Sequence, residues 1–169
     1  ILESKIARMK NNSGSGIRLG NVLTFASVAA GDNVTTTTTG GDNKVFGMAL
    51  GAITSTEYGN FLVEGYTKLL KVDGTTDIAV GDYLTTFTTA KIAQKASTGN
   101  MVFAIALEAY TTNDSNGVID ALIITPRLIW KIRKTYSGKS IADLLRLYFL
   151  EDCFSGLSVL GINNRFTKY

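Results

Sequence analysis

The residues best equipped for chemistry in this chain are its carboxylates, and their setting decides what they could do. A pair for glycoside hydrolysis would have to come from Glu57, Glu64, Asp73, Asp77, Asp82, Glu108, Asp114 and Asp120, one serving as proton donor and the other as base or nucleophile. Most of them stand at turn signals, where aspartate is expected for its backbone capping. Glu64 and Glu108 fall in strand-like stretches, and a solvated strand face is their default position. The chain contains no histidine, which removes the commonest general base and the commonest metal ligand together. A serine or threonine nucleophile would be left with a lysine partner, and no spacing supplies one. The piece 137-SGKS-140 is similar to the end of a phosphate-binding loop, yet the glycine required five positions before Gly138 is Arg133. Asp32 and Asp42 sit in twin G-D-N turns; calcium wants several converging oxygens and the EF-hand pattern is missing, so turn capping accounts for both. Cys153 is the one cysteine, so neither an internal disulfide nor a multi-cysteine zinc site can form, and a buried inert thiol is expected. The expectation is therefore a protein with no catalytic residue, no cofactor and no metal site, and not an enzyme.

What these residues sit on is β structure. From Gly20 to Thr125 the candidate strands are 21–26, 33–39, 45–53, 60–70, 82–87, 91–96, 101–110 and 117–125. Turn chemistry separates them: 31-GDN, 40-GGDN, 73-DG, 98-TGN and 113-NDSNG. Strands this closely spaced, with no helical stretch between them, predict an all-β fold, a small antiparallel β-barrel. Threonine suits it, because a branched Cβ fits a pleated surface and the hydroxyl tolerates water. The run Thr35–Thr39 fits an exposed edge or a strand against a neighbouring subunit.

One strand phrase is written twice. The pattern G-[N/D]-x-L-T occurs at 20 and again 61 residues later, and 45-VFGMALGAITS-55 returns as 102-VFAIALEAYTT-112, 57 residues on. A duplicated strand set would build a barrel with pseudo-twofold symmetry; the shared demands of one core are the other explanation.

Charge divides the chain further. Residues 1–20 carry net +3, residues 21–126 net −5, and residues 127–169 net +5. An acidic body between basic ends suits self-assembly, with charge setting register. Nucleic-acid binding competes as an explanation of the basic ends, but aromatic residues are not interleaved with the basic ones as a stacking groove requires. No run of about 18 apolar residues predicts a transmembrane helix, and charges at Glu3, Lys5, Arg8 and Lys10 break any signal-peptide pattern.

The organisation expected is an N-terminal arm and linker over 1–19, a barrel domain over 20–126 closed by Pro126, and a basic C-terminal extension over 127–169. In that extension Leu128, Trp130 and Ile132 alternate with basic positions. Ser140 opens a capping-box-like start to a helix over about 141–154, which ends near Gly156.

The phrases V-G-D-Y-L-T-T, 93-AQKA-96, 102-VFAIALEA-109 and 117-GVIDALII-124 together resemble small β-barrel proteins of tailed-phage virions, most closely the capsid decoration (cement) proteins. Related phrases occur in barrel modules of phage tail fibres. The resemblance covers roughly residues 20–125, and the basic C-terminal extension departs from the compact family pattern. It implies a non-enzymatic virion protein on the outer surface of the capsid. Its partners would be the major capsid protein and further copies of itself, often as trimers, bridging neighbouring capsomers to stabilise the head. A tail-fibre or spike module for host attachment is the alternative. Neither a membrane nor nucleic acid is expected as a partner. Candidate capsid or subunit contacts are Arg127, Leu128, Trp130, Ile132, Arg133, Lys134, Tyr148, Phe149 and Phe166, apolar and aromatic anchors supplying energy and cations setting register.

Overall fold

A computed structural model of the chain describes residues 3–27 and 31–129. The expected helix over 141–154 and all of the C-terminal extension beyond Ile129 lie outside these residues. Among the described residues nine strands form: β1 (Lys5–Asn11), β2 (Val22–Phe25), β3 (Asn33–Thr35), β4 (Val45–Ala49), β5 (Tyr58–Val72), β6 (Tyr83–Thr86), β7 (Ala93–Lys95), β8 (Met101–Ala106) and β9 (Gly117–Leu128). The all-β barrel expected from the sequence is what folds.

The pairings close two rings. In the first, β1 runs parallel to β3, β3 pairs with β2, β2 with β4, β4 with β5, and β5 returns to β1. In the second, β5 runs parallel to β7, β7 pairs with β6, β6 with β8, β8 with β9, and β9 returns to β5. Each is a five-stranded barrel with the same internal order, and β5 is the last strand of one and the first strand of the other. Closure of this kind removes the unpaired edges that make open sheets prone to association.

The written repeat is therefore a structural repeat. Offsets of 61 and 57 residues carry β2 onto β6 and β4 onto β8. The isolated antiparallel bridge Ile17–Ile53 in the first barrel is matched by Ile78–Tyr110 in the second. The turn before β2 is held by Asn21 Oδ1 accepting from Arg18 N at 2.7 Å, and the turn before β6 by Asp82 Oδ2 accepting from Ala79 N at 2.7 Å.

β4 and β8, the near copies, are buried almost throughout and lie in contact with each other. A strand covered on both faces reads as a continuous apolar run, which is why this phrase, V-F-x-x-A-L, does not alternate. Each barrel has its own core. Met9, Leu23, Val34, Phe46 and Phe61 fill the first; Leu70, Leu84, Phe103, Ile119 and Ile123 fill the second. Val22, Val45, Met48 and Leu62, from strands of the first barrel, belong to the second cluster, so the apolar interior runs across the junction.

Three expectations are corrected. Residues 1–19 are not simply an arm: Lys5–Asn11 form β1, six of whose residues are in register with β5, while Met9, Asn11 and Ile17 are buried. Its alternation is short and charge-rich, and the partner strand that completes it lies some fifty residues away, so local pattern could not reveal it. Pro126 does not end the last strand. Val102 opposes Arg127 and Ala104 opposes Ile123, so Ile124, Thr125 and Pro126 together face the single residue Phe103. At such a bulge the ladder needs no N–H from proline, and the strand passes through it. The threonine run leaves β3 after Thr35 and becomes a loop fastened to the second barrel: Thr86 Oγ1 donates to Thr39 O at 2.7 Å, and Gly41 N donates to Thr86 O at 3.2 Å.

Candidate interaction surfaces

Among the described residues, no group of three or more Cys, Asp or Glu side chains is placed to hold a metal, and every buried side-chain nitrogen and oxygen has a hydrogen-bond partner. The carboxylates do structural work. Asp73, at the end of β5, is buried and accepts from Thr75 N at 3.0 Å, from Thr75 Oγ1, and from Ser115 Oγ at 2.5 Å. Burial pushes its pKa upward, but the hydrogen bonds from Ser115 and Thr75 outweigh that and hold it below the ordinary value. Asn11 ends β1 in the equivalent place. It accepts from Ser13 N at 3.0 Å and donates from Nδ2 to Ser15 O at 2.8 Å and Ile53 O at 3.2 Å.

Asp32, Asp120 and Asp114 accept from the hydroxyls of Tyr58 (2.5 Å), Tyr66 (2.5 Å) and Tyr110 (2.8 Å). Each phenol is raised above 10.0, chiefly by that hydrogen bond to a carboxylate, which ionisation of the phenol would break. Asp42 caps its turn through Lys44 N at 2.9 Å and accepts from Thr37 Oγ1 at 2.6 Å. Glu64 pairs with Lys5 at 2.6 Å across β5 and β1, and Glu108 accepts from Asp120 N at 3.1 Å. These carboxylates hold turns, hydroxyls and neighbouring strands.

Of the expected contact residues, the described structure contains two, Arg127 and Leu128; Trp130, Ile132, Arg133, Lys134, Tyr148, Phe149 and Phe166 lie outside it. Arg127 is engaged with its own barrel. Its guanidinium stacks 5.6 Å from the Tyr83 ring centroid and donates to Tyr83 Oη at 3.3 Å. Leu128, the last residue of β9, is 41% exposed.

Sequence reasoning missed a further feature, a polar groove where the barrels meet. One cavity of about 570 Å³ is lined by residues including Arg18, Asn21, Ile53, Lys71 and Lys91. A second, of about 270 Å³, shares Asn21, Lys71 and Lys91 with it and reaches Asn116 and Gly117. The sequence signal lay in the repeat: 16-GIRLGN-21 corresponds to 77-DIAVGD-82, the same turn with its charges changed from basic to acidic.

No protein-family model matches the chain, and no curated protein matches it. Among solved structures it is similar to the N base of head fiber gp8.5 of bacteriophage phi29, with a TM-score of 0.48 and 16% identity over 73% of this chain and 98% of that one. A likeness at that level carries nothing about function.

Proposed function

We propose that the protein is a structural component of a phage virion, a decoration protein that binds the outer surface of the capsid and ties neighbouring capsomers together. The observation that supports this reading best is the double barrel itself: β5 runs through both rings for 15 residues, and the core of the second barrel takes in residues from strands of the first. The result is a stiff body without open sheet edges, which is what a fastening part requires. The resemblance of its strand phrases to those of decoration proteins, and the basic composition of residues 127–169 after a nearly neutral double barrel, point the same way. Leu128, exposed where β9 leads into that extension, is the described residue best placed to contact a shell, with the apolar and aromatic residues beyond it as further anchors. Self-association, with copies meeting through the same extension, belongs to this reading. A tail-fibre module for host attachment is the second reading, supported by the related phrases in fibre barrels. The test is to mix the purified protein with expanded heads lacking it and measure co-sedimentation. Decoration predicts saturable binding to heads; binding only to host cells or tails would favour the fibre module.

A further inference from the structure

The groove at the barrel junction collects cations and excludes acids. Arg18, Lys71 and Lys91 line it, and no carboxylate does among the described residues, although those residues carry eleven acidic side chains against ten basic ones. The ion pairs formed among the described residues are Lys5–Glu64 and Lys95–Asp82, so none of the three is neutralised there. Lys91 Nζ is held by Ser15 Oγ at 3.1 Å and Gly16 O at 2.9 Å, which uses two of its three protons and fixes the charge at the groove wall.

The turn itself does not require the charge at Arg18. The equivalent turn of the second barrel keeps the positive-φ glycine (Gly20, Gly81) and the side-chain cap, yet has Ala79 where the first has Arg18 and Asp77 where the first has Gly16. Lys91 adopts φ +77°, a conformation that glycine or asparagine takes at lower cost, so a lysine there acts against the local backbone preference. Three cations without an acidic partner, from three separate segments and one of them at positive φ, thus face one groove.

The groove's chemistry narrows the ligand. Two adjoining cavities favour an elongated occupant. No aromatic ring lines either one, so nucleic-acid bases and sugar rings would find no stacking surface. What remains is wall atoms of Ile17, Ala52, Ile53 and Ala90 beside fixed cations. Lys71 stands opposite Val118 in the β5–β9 ladder, and Val118 is exposed, which adds apolar surface at the rim. We infer that this groove binds an extended acidic segment of a polypeptide, its carboxylates on Arg18, Lys71 and Lys91 and its small apolar side chains on the walls. The inference does not depend on where the protein sits on a particle.

Titrating the full-length, isotope-labelled protein with a hexa-aspartate peptide at low salt tests it. Saturable amide shifts should centre on Asn21, Lys71, Lys91 and Gly117 and weaken as salt is added. Lys71→Ala and Lys91→Asn, the latter chosen because asparagine tolerates the backbone there, should each reduce affinity roughly two- to fivefold, the range for exposed ion pairs. Lys68→Ala, on the same strand and outside the groove lining, should leave affinity unchanged. Pyrophosphate and an oligothymidine strand serve as competing probes. Tighter binding of either than of the peptide, shifts spread over the surface, or an equal loss in Lys68→Ala would overturn the assignment.

Discussion

Glu64 and Gly65 are consecutive residues that belong to different barrels. Glu64 is the residue of β5 paired with Lys5 of β1, and Gly65 opens the pairing of β5 with Ile123 of β9. The strand changes partners within one peptide unit. Gly65 makes that possible with φ +133°, and a Cβ there would lie 2.7 Å from Ser4 Oγ and 3.1 Å from Ser4 Cα. Gly65→Ala should therefore combine a backbone penalty with a clash and cost about 2–4 kcal/mol by urea denaturation. Gly14→Ala is the comparison: it also has positive φ (+73°) but meets nothing within 4 Å, and should cost only about 1–2 kcal/mol.

Because β5 serves both rings and the second core takes in Val22, Val45, Met48 and Leu62, the barrels should melt together. Phe61→Ala in the first core and Phe103→Ala in the second each remove a fully buried ring and should each cost about 3–5 kcal/mol. Calorimetry should give one transition for either variant. Two transitions, with only one displaced by each substitution, would mean that the barrels fold independently.

Stability should fall at both ends of the pH range. The Asp73 carboxyl is held below 3.8 in the folded protein. It thus contributes stability that is present above the unfolded value and is lost as pH falls through the folded one. Asp73→Asn should flatten this acid slope and cost about 1–2 kcal/mol at pH 7, since an acceptor can be kept for Thr75, as Asn11 shows for Ser13, while the ionic acceptor for Ser115 is lost. Tyr58, Tyr66 and Tyr110 are shifted the other way. Their contribution is present below the unfolded value of 10.0 and disappears as pH rises through the higher folded values. Chemical denaturation between pH 2 and 12, with a Tyr58→Phe, Tyr66→Phe, Tyr110→Phe variant, would separate the two limbs.

On the proposed role, Leu128→Asp should weaken binding to heads with only a small loss of melting temperature, because that side chain is part-exposed at the end of β9. Arg127→Ala should do the reverse, losing less than about 1 kcal/mol of stability with its stack on Tyr83 and leaving head binding intact. Co-sedimentation and thermal melts of the two variants check both halves.

The fold was legible where residues announce themselves locally. Turn signals at 31, 40, 73, 98 and 113 separated strands that form close to where they were expected, and the twice-written V-F-x-x-A-L phrase marked β4 and β8. The two closed rings were not legible, because they depend on one strand serving two sheets. That appears in sequence only as a 15-residue run with Gly65 inside it, which reads equally well as a long strand of one barrel. β1 was hidden for a related reason: its pairing with β5 is long-range, and Lys5, Arg8 and Lys10 give it the composition of a solvated arm. Asp32, Asp42, Asp73 and Asp114 were legible as turn residues from their glycine and asparagine neighbours, whereas Glu108, expected within a strand, lies past the end of β8, and Asp120 lies inside β9. The junction groove was not legible, because Arg18, Lys71 and Lys91 are scattered along the chain and meet only when the barrels are fused.

Imaging expanded heads incubated with the protein, at subnanometre detail, decides whether it decorates capsids. A decoration protein should give double-barrel density at regular positions on the outside of the icosahedral shell, touching more than one capsomer. A bare shell, or density confined to the tail, would contradict that role.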